Sequence, residues 1–135
     1  MNPTYTEGPY KSFEEENLLD LQDKEGFLVM LGAADNTVKL ATSGAVAIGV
    51  LQGRTSLESK DVAVRLLGKG GTVKMKAGGI IAKGSRVVWA AGGKVVAQPA
   101  AAGSYRTLGV KLEQGDSADN DVIEVLDLIE PVTVA

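Results

Sequence analysis

The stretch Arg86-Val-Val-Trp-Ala-Ala-Gly-Gly-Lys-Val-Val-Ala97 decides the fold. Two short apolar runs flank Ala91-Gly92-Gly93. A Gly-Gly pair between such runs is a hairpin signal, because the tight turns joining antiparallel strands need positive φ. The same punctuation continues on both sides. Upstream, Phe27–Leu31 meets the turn-like Asp35-Asn36 and the alternating Thr37–Leu40. Val46–Leu51, Asp61–Leu67 and Thr72–Lys76 follow, with Gly68-Lys-Gly-Gly71 breaking the last two apart. Downstream, Thr107–Leu112 and Asp121–Ile129 complete the set. Short strands at such spacing, with no long helical period after residue 26, predict an all-β chain: a small β-barrel or β-sandwich.

Composition agrees. The chain has 135 residues, 44% of them apolar and 4% aromatic, with 17 glycines. One domain of that length can hold a modest core, built here from Val, Leu, Ile and Ala. Histidine and cysteine are both absent. Their absence removes Ser-His-Asp and Cys-His catalysis, disulfides, and histidine or cysteine metal sites. No cofactor or metal is expected. A net charge of -3 argues against a nucleic-acid partner. No apolar run approaches the ~20 residues of a membrane-spanning helix. The polar, acidic start Met1–Glu16 lacks the apolar stretch of a signal peptide, so a soluble, non-secreted chain is expected.

The first 26 residues read as a separate arm, residues 1–26, ahead of a β-domain at 27–135. Pro3 and Pro9 disfavour regular structure near the start. Ser12 with Glu15 has capping-box spacing, which predicts one short helix within Ser12–Gly26; a solvated acidic linker is the alternative. Tyr5, Tyr10 and Phe13 gather three aromatics in this segment. Aromatics are favoured interface anchors, so these three are the candidate partner-binding residues; packing on the chain's own barrel is the other reading.

The β-domain is weakly self-similar. Gly49-Val50 and Asp61-Val62 reappear as Gly109-Val110 and Asp121-Val122, an offset of 60 in both pairs. Leu28–Leu31 with Val38 matches Arg86–Trp89 with Val96 at an offset of 58. Duplication of a half-barrel into two similar halves is one reading; chance likeness among Val/Gly-rich strands is the other.

Three other segments invite a chemical reading. Gly68-Lys69-Gly70-Gly71-Thr72 looks like a phosphate loop, but its spacing is wrong and a strand follows it, so a turn is expected. Asp116, Asp119 and Asp121 lack the alternating ligands, central Gly and terminal Glu of a calcium loop. Val73-Lys74-Met75-Lys76 partly resembles the hairpin of biotinyl or lipoyl carrier domains, which would make Lys74 the modified residue of a carrier or adaptor. Val73 stands where a second Met belongs, and an edge strand with both lysines in water is the counter-reading. Trp89, central in its run, is expected in the core.

The cadence Ile80–Ala97, then Pro99-Ala-Ala-Ala-Gly103, then Leu108-Gly109-Val110, then an acidic loop and valine-rich last strand from Asp116 to Ile129, resembles the capsid cement, or head decoration, proteins of tailed bacteriophages. The likeness runs from Phe27 to Ile129. The acidic segment Ser12–Gly26 departs from that family's short N-terminus. The resemblance implies a non-enzymatic structural protein made in the host cytoplasm and carried on the outer surface of the virion capsid. It implies the major capsid protein as partner, and copies of itself, as a homotrimer at threefold or quasi-threefold positions. The expected role is stabilisation of the expanded shell.

Overall fold

Side-chain alternation places the strands. A computed structural model describes residues 8–54 and 58–134, and ten strands form among them. The first five are β1 (Tyr10–Glu15), β2 (Leu28–Leu31), β3 (Thr37–Leu40), β4 (Gly49–Arg54) and β5 (Asp61–Leu66). They close into a barrel in the order β1-β3-β2-β4-β5, with β1 parallel to β3 and the other pairs antiparallel. The second five are β6 (Thr72–Lys76), β7 (Arg86–Trp89), β8 (Val95–Ala97), β9 (Gly103–Lys111) and β10 (Val122–Val134), in the order β6-β10-β9-β7-β8. No helix of the described residues is long and apolar enough to span a membrane.

The two sets are one pattern used twice. Replacing β1 to β5 by β6 to β10 in order converts the first arrangement into the second. The pairing registers agree as well. Phe13 pairs with Val62 as Met75 pairs with Ile123; Val29 with Gly49 as Val87 with Gly109; Leu31 with Val38 as Trp89 with Val95. Even the parallel closure recurs: Glu15 opposite Val38 becomes the single bridge of Ala77 to Val95. The duplicated halves anticipated from the sequence are therefore real in topology.

Their register corrects the sequence offsets in two places. Val62 corresponds to Ile123, not Val122, and Val38 to Val95, not Val96. A one-residue slip exchanges the two faces of a strand. Ile123 is 2% exposed and Val122 51%, so the core side chain fixes the match.

Gly49 and Gly109 show why the repeat keeps its glycines. A Cβ on Gly49 would stand 2.5 Å from Val64 Cγ1 and 2.7 Å from the Arg65 carbonyl oxygen; on Gly109 it would stand 2.3 Å from Val125 Cγ1 and 2.2 Å from the Leu126 carbonyl oxygen. Val64 and Val125 are themselves counterparts. Here β4 crosses β5, and β9 crosses β10, too closely for any side chain.

The N-terminal reading needs correction. Residues 10–15 are not an arm separate from the β-domain but strand β1, paired to both β3 and β5. The predicted helix in Ser12–Gly26 is absent: a strand is followed by turns, with Leu19 and Asp23 at φ of 70° and 59°. Glu15 explains this. Its buried carboxylate accepts from the Leu19 amide at 2.8 Å and the Leu21 amide at 3.0 Å, so it organises a turn after a strand rather than capping a helix.

Two cores result. Phe13, Leu21, Val29, Val38, Leu51, Val62 and Val64 fill the first barrel. The second core takes Val73, Met75, Ile81, Val87, Leu108 and Val125 from the second unit and adds Leu28, Ala41, Ala47 and Val50 from the outer face of the first. Leu28 and Val50, direct partners on that face, are both 0% exposed. Burying such side chains stabilises by roughly 1.5–3 kcal/mol each, so this seam makes the units one body.

Candidate functional site

The candidate residues do not assemble where the sequence put them. Tyr5 lies outside the described residues. Tyr10 and Phe13, three apart in β1, point to opposite faces. Phe13 is 6% exposed and belongs to the first barrel's core, with Lys11 Nζ 5.5 Å from its ring centroid. As core it is not a free partner anchor. Tyr10 is 56% exposed and borders a hollow of about 250 Å³ with Gln52, Lys74 and Glu124.

Lys74 is the middle residue of β6, exposed and opposite Glu124 of β10. A carrier lysine sits at a hairpin tip; this one sits inside a paired strand. The acidic loop is a turn. Asp121 Oδ2 accepts from the Ala118 amide at 2.8 Å, Asp119 Oδ1 from Lys94 Nζ at 3.0 Å, and Asn120 has φ of 73°. No group of three acidic side chains among the described residues is arranged to hold a metal ion.

The phosphate-loop lookalike does cradle an anion, but the anion is the chain's own. The amides of Gly68, Lys69 and Gly70 donate to the Asp127 carboxylate at 2.9, 2.9 and 3.1 Å. Arg65 Nη1 reaches the same carboxylate at 2.9 Å. Both side chains are almost wholly buried, and Arg65 also donates to the carbonyls of Leu66, Gly70 and Thr72. Asp127, from β10, thereby locks the turn that carries the chain from the first unit into the second. Such a fully hydrogen-bonded buried pair fixes geometry; losing one partner strands the other charge.

Sequence reasoning missed the surface best suited to recognition. On the outside of β7, β8 and β9 lies a mainly apolar groove of about 520 Å³, lined by Val88, Trp89, Val96, Pro99, Tyr105 and Arg106. Trp89 is half-buried rather than core, and its Nε1 donates to the Ala41 carbonyl at 3.0 Å across the seam. Tyr105 donates its hydroxyl to the Ala101 carbonyl at 2.9 Å. Arg106 Nη1 donates to the Ala47 carbonyl at 3.0 Å and to the Gly44 carbonyl. Three rotamer-rich side chains are therefore held before any partner arrives, which lowers the entropic cost of binding. Trp, Tyr and Arg are also the residues that dominate interface energetics. The sequence clue was Tyr105-Arg106 directly after the small-residue stretch ending at Gly103.

Beside the groove, β9 and β10 run on as a two-stranded ribbon. After a bulge between Asp127 and Glu130, Glu130 to Val134 pair with Thr107 to Gly103. β6 pairs with β10 only over Val122–Leu126, so beyond Asp127 the far edge of β10 has no strand beside it among the described residues. The groove and ribbon have the shape and apolar lining to bury an apolar segment. No protein-family model matches this chain, and no curated protein matches it.

Proposed function

We propose that this chain is a non-enzymatic structural protein of a tailed-phage head. It binds the outer surface of the capsid, clamps neighbouring major-capsid subunits and stabilises the expanded shell. Copies cluster at threefold or quasi-threefold positions. The observation that carries this reading is the pre-ordered Trp89–Tyr105–Arg106 groove beside the open-edged ribbon. It is a recognition surface on a rigid β scaffold, and the sequence around it is the part that resembles head decoration proteins.

Cementing works by mass action. A protein that binds only the assembled, expanded shell stabilises it by its binding free energy, repeated at every site. A ribbon edge offers backbone groups, and a groove offers apolar burial; both suit a shell surface built of repeated loops and strands.

The test is co-sedimentation of the purified protein with expanded shells from the native source. Saturable, stoichiometric binding that raises the shell's disruption temperature is expected. Trp89→Ala with Tyr105→Ala should weaken that binding by about 100-fold, since two interface anchors are lost. No binding to shells, or recovery of an acyl- or carboxyl-transferring enzyme instead of a capsid protein from the native source, would overturn the proposal.

A further inference from the structure

The internal repeat also describes an interface. Inside one chain, the β7–β8 hairpin of the second unit seats on the outer face of β2, β3 and β4 of the first. Trp89 reaches Ala41, and the Gly93 backbone lies so close to Leu28 that a Cβ there would stand 3.0 Å from the Leu28 carbonyl oxygen. Each of these groups has a counterpart in the other unit, fixed by register. Trp89 corresponds to Leu31, Gly93 to Asn36, Leu28 to Arg86 and Ala41 to Gln98.

The first unit's hairpin is therefore a vacant copy of the element that makes the seam. Leu31 is 55% exposed at the place of Trp89, and Asn36 holds a φ of 57° where Gly93 holds 91°. The second unit's outer face is a vacant copy of the receiving surface. It carries Arg86, 42% exposed along its side chain, where Leu28 is buried. The exchange is chemically matched. The hairpin is acidic at its tip, with Asp35 beside Asn36, and the face carries a guanidinium that pairs with Glu130 on one side and stays 42% exposed for a second carboxylate. The Asn36 side chain and Arg86 both need more room than Gly93 and Leu28, so a contact between these copies would be wider and more polar than the seam.

We infer that the chain associates head-to-tail with a second copy. The β2–β3 hairpin of one molecule, around Leu31 and Asp35, seats on the β7–β8–β9 face of the next, around Arg86 and Gln98. The contact is heterologous: each copy offers one hairpin and one face, so association continues until a ring closes or a row forms. It repeats the intrachain seam with an ion pair in place of buried leucine. It does not rest on the capsid proposal, and shell binding by a monomer would leave it untouched.

The experiment is sedimentation equilibrium of the full chain up to about 1 mM, the concentration at which even a millimolar contact is half formed. Concentration-dependent association that weakens with added salt is expected, because an exposed ion pair is screened. Asp35→Arg and Arg86→Asp should each lower the association constant by about tenfold or more, by placing like charges together. Mixing the two variants should restore association, with the two alternating, since each hairpin then meets an oppositely charged face while each variant alone meets a like charge. Combining both changes in one chain should restore full association. Leu31→Gln, on an exposed side chain, should also weaken association, and unchanged Trp89 emission checks that each variant is folded. A wild-type chain that stays monomeric at the highest concentration, or association indifferent to these charge exchanges, would overturn the inference.

Discussion

The two five-stranded units share connectivity and register, yet they have opposite economies. The first is closed on all sides around its own core, and it gives its outer face away: Leu28, Ala41, Ala47 and Val50 are spent on the seam. The second borrows those residues to complete its core and makes its own outer face more polar. Register for register, Leu28 becomes Arg86, Ala41 becomes Gln98 and Ala47 becomes Thr107. Thr107 then donates to Gln98 at 2.8 Å, and Arg86 pairs with Glu130. Inside the barrels the exchange also runs from apolar to polar. Leu51 corresponds to Lys111, whose buried amine donates to the carbonyls of Glu113 and Gly115. The lesson is that duplication preserves backbone geometry cheaply, while the solvent each face meets rewrites its side chains. Terminal units of repeat proteins are capped with polar faces for the same reason.

This contrast can be broken at its hinge. Asp127→Ala removes the carboxylate that holds Arg65 and three turn amides, at the place where the first unit has Leu66. A loss of about 5 kcal/mol in denaturant unfolding is expected, because a buried guanidinium is left unpaired. Replacing the pair together, by Arg65→Met with Asp127→Leu, should cost clearly less than the single change. If the double variant is no better, the turn amides, not the ion pair, dominate.

The shared backbone is tested next. Gly109→Ala should cost about 4 kcal/mol and Gly49→Ala somewhat less, because the first clash is with backbone at 2.2 Å and the nearest contact of the second is a valine methyl that can shift. Thermal unfolding of both variants ranks them. Equal and small effects would mean that the close crossing relaxes.

The divergent faces are tested by reciprocal exchange. Leu28→Arg should cost about 3 kcal/mol, since it drives a charge into the seam. Arg86→Leu should change stability by no more than about 0.5 kcal/mol, since it removes only an exposed ion pair with Glu130. Trp89, the chain's one tryptophan, reports on the seam directly: its emission should shift red in Leu28→Arg and hold in Arg86→Leu. Trp89→Phe strips the Ala41 carbonyl of its donor and should cost about 1 kcal/mol. Chemical denaturation followed by circular dichroism measures it.

Much of this was legible from residues alone. The Gly92-Gly93 hairpin formed with both glycines at positive φ, and Asp61–Leu66 alternates as its valines require. The repeat was visible through Gly49 and Gly109, because a steric demand for glycine leaves the same letter in both halves. It blurred wherever demands were looser: β5 and β10 match at an offset of 61 and not 60, a step that only burial reveals. β1 was misread because Glu15 carries a helix-cap spacing but serves a turn, and nothing local announces a carboxylate buried by its own amides. The groove was missed because Trp89 looks the same whether its covering layer is complete or half-open.

The sequence by itself therefore determined the strand content, the tight turns and the duplication. Each depends on near neighbours: alternation, positive φ, and glycine where two backbones touch. Only the tertiary structure decided which faces are covered. It placed Phe13 inside the first barrel, spent Leu28 on the seam, gave the glycine turn an anion from a residue almost sixty positions away, and left Trp89 and Tyr105 lining an open groove. Burial is set by what arrives from elsewhere in the chain, and identical strands acquire different roles when one is covered and its twin is not.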